Sequence, residues 1–176
     1  MPRPVPSDRL AGLVDQTATA FGKVCVALVA VHAVRPTWLP KLMLADLDRT
    51  RWRLTIRLVG IDHLVYLDEF TARLMTDWLA VRYRQWPRCR NPHLLVTRRT
   101  AIHADTPPAH KEAVLYYFRR AGIGAQKLWT DRILDEAAHI EDPVQLMHQF
   151  GLSITTAVKH DQAAHPEKYG IDPTQA

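Results

Sequence analysis

The fold is indicated most clearly by the stretch Asp142-Pro-Val-Gln-Leu-Met-His-Gln-Phe-Gly-Leu-Ser-Ile-Thr-Thr-Ala-Val-Lys-His160. Asp142 can cap a helix that begins at Pro143, because proline lacks the N–H that the first turn of a helix leaves unpaired. Gly151 can form a turn, and Ser153 can cap the helix that follows. The stretch therefore predicts two short helices joined by a tight turn.

Two interpretations of this helical hairpin stay open. The glycine turn, the serine cap and the small Ala157 are typical of a DNA-binding helix-turn-helix, in which Thr155 and Lys159 would be exposed. The same features occur in helical hairpins that only complete a hydrophobic core.

Helices are predicted on both sides of this hairpin. Upstream, apolar positions and breaks at proline or glycine favour helices at Ser7–Val34, Thr37–Ala45, Asp68 or Thr71 to Gln85, around Val114–Ala121, and Leu128–His139. Downstream, the second helix of the hairpin is expected to end near Ala164, before a frayed tail from Pro166.

Extended segments are few. Trp52–Arg57 alternates apolar and polar residues, Leu64–Leu67 is rich in strand formers, and Gly60 lies between them, which predicts a hairpin. His93–Val96 is predicted as a third strand, and Asp46–Arg49 as a loop. The fold class is therefore mainly α with a small antiparallel β-sheet (α+β), and not a sheet of alternating β-α-β units.

The composition is that of a globular protein, with 47% hydrophobic and 23% charged residues. The first residues lack the apolar core of a signal peptide, and no apolar run is long enough to cross a bilayer. Cys25 and Cys89 do not form a CxxC pair, so a reducing compartment and a cytoplasmic location are expected, with no membrane partner.

Arginine is far more frequent than lysine, and the net charge is +5. The stretch Arg82–Arg99 contains no acidic residue, which suits contact with a phosphate backbone but also fits a merely arginine-rich surface. The candidate DNA-binding residues are Arg57, Arg82, Arg84, Arg88, Arg90, Arg98, Arg99 and Lys159.

Other kinds of site lack support in the sequence. The histidines do not show a recognised metal-ligand spacing, so no metal is expected. There is no glycine-rich phosphate loop and no Gly-x-Ser-x-Gly elbow, and no cofactor is expected.

The order of these segments resembles the catalytic domain of the tyrosine recombinases, the phage integrase family, and especially its divergent actinobacterial members. His32–Leu39 resembles the first arginine box, Leu128–Ala137 the second, and Phe150–His160 the block that leads to the tyrosine. The match covers 20–168, which we expect to be the integrase-like domain. Residues 1–19 would be an N-terminal arm and the start of the first helix, and 169–176 a flexible tail.

This resemblance implies a covalent mechanism on DNA that needs no metal or energy source. A tyrosine attacks the phosphodiester, two arginines bind the non-bridging oxygens, and a hairpin lysine and histidines transfer protons. Arg35 matches the first arginine. Trp129 stands at the second, with Arg132 one helical turn away, and His160 stands in place of the tyrosine.

Further positions depart from the family pattern. Gln126 and Leu152 replace histidines, and Arg57 and His63 are the basic groups nearest the hairpin lysine position. The catalytic candidates are thus Arg35, Arg132 and His160, and strand cleavage is expected to be impaired. In this family a separate N-terminal domain usually closes around the DNA, and we expect this chain to start too late to hold that domain. We therefore expect its affinity for DNA to be weak and non-specific.

The resemblance leads to three hypotheses. The chain is a DNA-binding recombinase-like protein associated with DNA integration and recombination, a non-enzymatic helix-turn-helix regulator, or an inactive remnant of a mobile element. Expected partners are DNA and either a second copy of the chain or a full-length recombinase.

Overall fold

The computed structural model describes residues 12–58, 60, 62–103 and 105–170. The expected cap at Ser7 lies outside these residues. The helices are α1 (Ala20–Ala30), α2 (Glu69–Gln85), α3 (Arg98–Ala101), α4 (Lys111–Arg120), α5 (Ala125–Ala137), α6 (Pro143–Phe150) and α7 (Ile154–Ala164); the strands are β1 (Leu47–Asp48), β2 (Arg53–Arg57) and β3 (Asp62–Tyr66). The predicted fold class, mainly α with one small antiparallel sheet, is confirmed.

Helix α1 forms the centre of the core. All of its residues except Ala20 and Lys23 are buried, and it packs against α2, α4 and α5. A Cβ on Gly22 would lie 2.5 Å from Cδ1 of Tyr117, so only glycine lets α4 approach this closely.

The prediction of one helix over Ser7–Val34 is wrong in the described part. Residues 12–15 are helical, but the chain then leaves the helix, and Thr19 starts α1 as its N-cap. The Thr19 hydroxyl accepts a hydrogen bond from the Gly22 amide at 3.1 Å, so a side-chain contact sets this break.

The sheet is antiparallel in the order β1-β2-β3, with Leu54 opposite Val65. Its predicted hairpin is confirmed, but the third strand is β1, in the region expected to be a loop. The expected strand His93–Val96 forms only one bridge, between His93 and Met43, and then bends into the core. The expected helix Thr37–Ala45 is likewise replaced by two short 3₁₀ turns, Leu39–Lys41 and Leu44–Asp46.

Helices α6 and α7 have the predicted caps. Asp142 accepts from the Val144 amide at 2.8 Å and Ser153 from the Thr156 amide at 3.3 Å. Gly151 has a left-handed φ of 60°, and a Cβ there would lie 2.8 Å from Cγ of His63 in β3. The turn therefore needs glycine both for its backbone and for its packing on the sheet.

The end of the described chain is not frayed as expected. Pro166–Tyr169 forms a 3₁₀ turn, and the Tyr169 hydroxyl donates to the Asp161 carboxylate at 2.5 Å. The last expected tail residues, 171–176, lie outside the described part. Among the helices that the structure describes, none is both long and apolar enough to cross a membrane.

Candidate functional site

Arg35 follows a tight turn at the end of α1. Ala33 has a left-handed φ of 51°, and the Val34 amide donates back to the Leu28 carbonyl at 2.9 Å. This turn directs the chain away from the helix axis and leaves the Ala33 carbonyl free of the helix ladder. The Arg35 side chain is only partly exposed.

Two tryptophan rings hold the Arg35 guanidinium. Its central carbon lies 4.8 Å from the ring centre of Trp129 in α5 and 5.4 Å from that of Trp38. The Trp129 indole N–H donates to the Ala33 carbonyl at 2.8 Å, so the same ring that contacts Arg35 also fastens the turn before it. Contacts between a guanidinium and the face of an aromatic ring are favourable by about 0.5 to 2 kcal/mol.

The N–H groups of Arg35 have no acceptor within the described residues. No carboxylate there forms an ion pair with it, and no carbonyl accepts a hydrogen bond from its guanidinium. Both ring centres lie within 5.4 Å of the guanidinium carbon, whereas the N–H edge has no acceptor among the described residues. Such an edge is suited to an anion with two oxygens in one plane.

His160 in α7 completes this cluster. Its ring meets that of Trp129 edge to face, with centres 5.8 Å apart and an angle of 79° between planes. Burial, and secondly the positive charge of Arg35, lower the pKa of His160 below the ordinary histidine value. The imidazole is therefore neutral at neutral pH. We call Arg35, Trp38, Trp129 and His160 the Arg35 cluster.

Arg132 lies one turn beyond Trp129 but is directed into the protein. It is 4% exposed, and its guanidinium donates to the Glu136 carboxylate at 2.9 Å and to the Val31 carbonyl at 3.5 Å. Asp135 is a further ion-pair partner at 3.6 Å. The structure thus surrounds Arg132 with protein groups, and its catalytic role stays a prediction.

The basic groups of the hairpin have different surroundings. The exposed Arg57 is paired with Asp46, with 2.7 Å between Nη2 and Oδ1. A cavity of about 40 Å³ is lined by this pair and by Trp38 of the Arg35 cluster. His63 is buried beneath Gly151, and that burial lowers its pKa.

The arginine-rich stretch is mostly exposed, with one exception. Arg82 is 2% exposed, and its guanidinium donates to the Asn91 carbonyl at 2.7 Å and to the His93 carbonyl at 3.3 Å. The expectation that Arg82 meets DNA at the surface is therefore wrong, because its side chain organises the loop from inside. The exposed members are Arg84, Arg88, Arg90, Arg98 and Arg99, and Lys159 on α7 is exposed as well.

These exposed arginines lie away from the Arg35 cluster. Helices α1 and α2 are antiparallel: His32, after the end of α1, hydrogen-bonds Thr71 at the start of α2, while Phe21 at the other end packs on Trp78. The Arg35 cluster adjoins the first end, and Arg84 adjoins the second. An 11-residue helix such as α1 is about 16 Å long, which sets the scale of this separation.

The sequence did not indicate that the rings of Trp38 and Trp129 contact Arg35. The sequence indicates Trp129 only as a substituted arginine, whereas in the structure its ring contacts Arg35 and its N–H holds the turn before Arg35. The spacing of Arg35 and Trp38, three residues apart, was the one available signal for a contact between them. Within the described residues, no three His, Cys, Asp or Glu side chains are grouped as a metal site would require.

No protein-family model matches the sequence, and no curated protein does. Solved structures do match. An XerA recombinase superposes with a TM-score of 0.70 and 18% identity, covering 97% of this chain and 63% of that one.

Two further neighbours are complexes with DNA. The XerH site-specific recombinase bound to a palindromic difH substrate, in a post-cleavage complex, gives a TM-score of 0.67 at 15% identity, over 95% of this chain and 51% of that one. The Tn1549 transposon integrase in complex with transposon right-end DNA gives a TM-score of 0.60 at 12% identity, over 96% of this chain and 66% of that one. The chain thus spans between half and two thirds of the proteins it matches, and it has the fold of a tyrosine recombinase catalytic domain.

Proposed function

We propose that this chain binds DNA through Arg35 and the exposed arginines, in DNA integration or recombination, and is impaired in cleaving a DNA strand. The observation that carries this proposal is the unused hydrogen-bonding edge of Arg35, held in place by two tryptophan rings. A phosphate group offers the paired oxygens that such an edge binds. The DNA complexes of the structural neighbours support DNA as the partner.

Impaired cleavage follows from the groups around Arg35. By the resemblance to the recombinases, a second arginine should stand at Trp129 and a tyrosine at His160. An indole has no charge with which to stabilise a pentavalent phosphate, and the single N–H of Trp129 is already donated to Ala33. Loss of one transition-state donor lowers a rate by about 100-fold to 1,000-fold.

In this proposal Tyr169 does not act as the nucleophile. Its hydroxyl donates to Asp161, and this hydrogen bond is the main reason that its pKa is raised above the ordinary tyrosine value. A raised pKa leaves less of the reactive phenolate. A full-length recombinase would then supply the missing groups in the cytoplasm, since a second copy of the chain lacks the same arginine and tyrosine.

DNA binding is tested by fluorescence anisotropy with a labelled duplex over a range of salt concentrations. Affinity should fall steeply as salt rises, and Arg35→Gln should reduce the slope of log K against log salt by about 0.9, the effect of one lost phosphate contact. The control is Arg73→Gln, which removes an exposed charge that is paired with Glu69 and is not among the proposed DNA-binding residues. Absence of binding even at low salt would favour the inactive remnant instead.

Cleavage is tested with a nicked suicide duplex, in which a covalent protein–DNA product is trapped and seen on a denaturing gel. No such band is expected from the unaltered chain. A band that disappears in Tyr169→Phe or in His160→Ala would overturn the proposal of impaired cleavage and would identify the nucleophile.

The helix-turn-helix hypothesis has one observation in its favour, since Thr155 and Lys159 are exposed on α7 as it requires. It predicts sequence-specific binding that is lost in Thr155→Ala and Lys159→Ala. Equal affinity for duplexes of unrelated sequence would exclude it. His160, on the same helix, packs against Trp129, so α7 also belongs to the Arg35 cluster.

A further inference from the structure

Cys89 lies in an open groove that it shares with Arg88 and Arg90, and the DNA-binding proposal gives its thiol no role. The groove has a volume of about 500 Å³ and runs between the loop 85–90 and the residues that follow α3. Trp86, Arg88 and Arg90 line it together with the partly exposed Cys89. The thiol is therefore within reach of a small molecule from solvent.

A buried positive charge lies against this thiol. Nη2 of Arg82 is 3.8 Å from Sγ of Cys89, and the guanidinium is almost completely buried. Its Nε is buried without a hydrogen-bond partner, and none of the described carboxylates forms an ion pair with it. A buried charge that lacks a counter-charge is unfavourable, so the positive charge of Arg82 attracts an anionic reagent into this part of the groove.

The rim of the groove is also basic. Arg88 and Arg90 flank Cys89 in sequence, and none of the described residues that line the groove is acidic. The exposed Asp105 lies beside the groove and pairs with the lining residue His103 at 3.7 Å. The surroundings thus attract anions toward the sulfur.

The second cysteine has none of these features. Cys25 is fully buried in α1, and burial raises the pKa of its thiol far above the ordinary range. A buried thiol of this kind is inert toward reagents in solution. Cys25 therefore serves as an internal reference for Cys89.

We propose that Cys89 is a modification site that undergoes thiol–disulfide exchange with small, negatively charged disulfides. The thiol gives its proton to solvent, and the thiolate sulfur attacks one sulfur of the disulfide. A new S–S bond to Cys89 forms as the old S–S bond breaks, and the other half of the reagent leaves as a thiolate. The product is a mixed disulfide that carries its negative charge between Arg88 and Arg90.

The test uses two disulfides that differ in charge, the dianionic 5,5′-dithiobis(2-nitrobenzoate) and the neutral 4,4′-dithiodipyridine. The native chain should release about one equivalent of thionitrobenzoate in a fast phase, with the adduct on Cys89 by peptide mass, and a second equivalent only after denaturation. Cys89→Ser should abolish the fast phase. In Arg88→Gln/Arg90→Gln, the anionic reagent should react on the order of tenfold more slowly, and the neutral one at nearly the unaltered rate.

The control is Arg84→Gln, an exposed arginine that does not line the groove, and it should leave both rates unchanged. In the unaltered chain, added salt should slow the reaction of Cys89 with the anionic reagent but not with the neutral one. This measurement does not depend on whether a variant folds. A fast phase that survives in Cys89→Ser, or equal effects of salt on both reagents, would overturn the proposal. None of these readouts involves DNA, so they stand apart from the test of DNA binding.

Discussion

Arg35 in the Arg35 cluster and Arg82, which supports the loop that contains Asn91 and His93, are held in place in opposite ways. Arg35 is held by aromatic rings, and its N–H edge has no partner in the described part of the chain. Arg82 is held by its N–H edge, which donates to the Asn91 and His93 carbonyls. The first arrangement leaves the guanidinium able to bind a ligand. The second uses it to support the protein itself, so the partner of an arginine, rather than its place in a basic run, decides its role.

Trp129→Ala should have the largest effect on stability, about 4 kcal/mol in the free energy of unfolding. The change removes a buried ring that contacts Arg35 and His160, and with it the hydrogen bond to Ala33. Urea denaturation measures the loss. Trp129→Phe, which keeps an aromatic face but lacks the N–H, should be destabilised by about 1 to 2 kcal/mol. Similar losses in both variants would mean that the hydrogen bond, and not the ring, holds the cluster.

Arg82→Met should be destabilised by about 2 kcal/mol, because two buried carbonyls lose their donor while the cost of burying a charge is relieved. The measurement is again urea denaturation. Arg84→Met, on the same helix but exposed, should stay within about 0.5 kcal/mol of the unaltered chain. If Arg82→Met left the free energy of unfolding unchanged, the comparison would fail, because Arg82 would then not support the loop.

Arg88→Gln/Arg90→Gln should weaken binding to every duplex sequence alike. Two lost phosphate contacts would reduce the slope of log K against log salt by about 1.8, twice the effect expected for Arg35→Gln. Anisotropy titrations at several salt concentrations test this. An unchanged slope would mean that Arg88 and Arg90 do not contact phosphate groups, and they would then be removed from the proposed DNA-binding surface.

Arg35→Gln should raise the pKa of His160, because one of the two causes of its lowering disappears. NMR titration of the ring protons measures the change, and His63 is the control, since burial alone lowers its pKa. The folded chain binds a proton at His160 less readily than the unfolded chain does. The contribution of the neutral His160 ring to the free energy of unfolding is therefore complete above about pH 6.5 and is lost as the pH falls. This loss of stability should be smaller in Arg35→Gln.

The sequence predicted what depends on near neighbours in the chain. The starts of α6 and α7 were correct, and Asp68 is the right one of the two caps predicted for α2, because Asp68, Asp142 and Ser153 each accept a hydrogen bond from an amide two or three residues away. Such caps require nothing from the rest of the molecule.

Features that depend on distant contacts were not predictable in this way. Leu94 and Leu95 have the composition of a strand, yet they bend into the core because Trp78 and Arg82 of α2 bind carbonyls in this segment. The burial of Arg82 was missed for the same reason. In the Arg35 cluster, the resemblance indicated that Arg35 and His160 lie near each other, but no spacing in the sequence indicated that Trp129 would lie between them.

The hydrogen bond from Trp129 to Ala33 also bears on how the protein is made. It joins positions 96 residues apart, so it cannot form until α5 has been synthesised. At about 5 to 20 residues per second, the ribosome needs roughly 5 to 20 seconds to add that length of chain. The left-handed turn after α1 must wait through this interval without its indole partner, and the Arg35 cluster is consequently among the last parts of the nascent chain to become ordered.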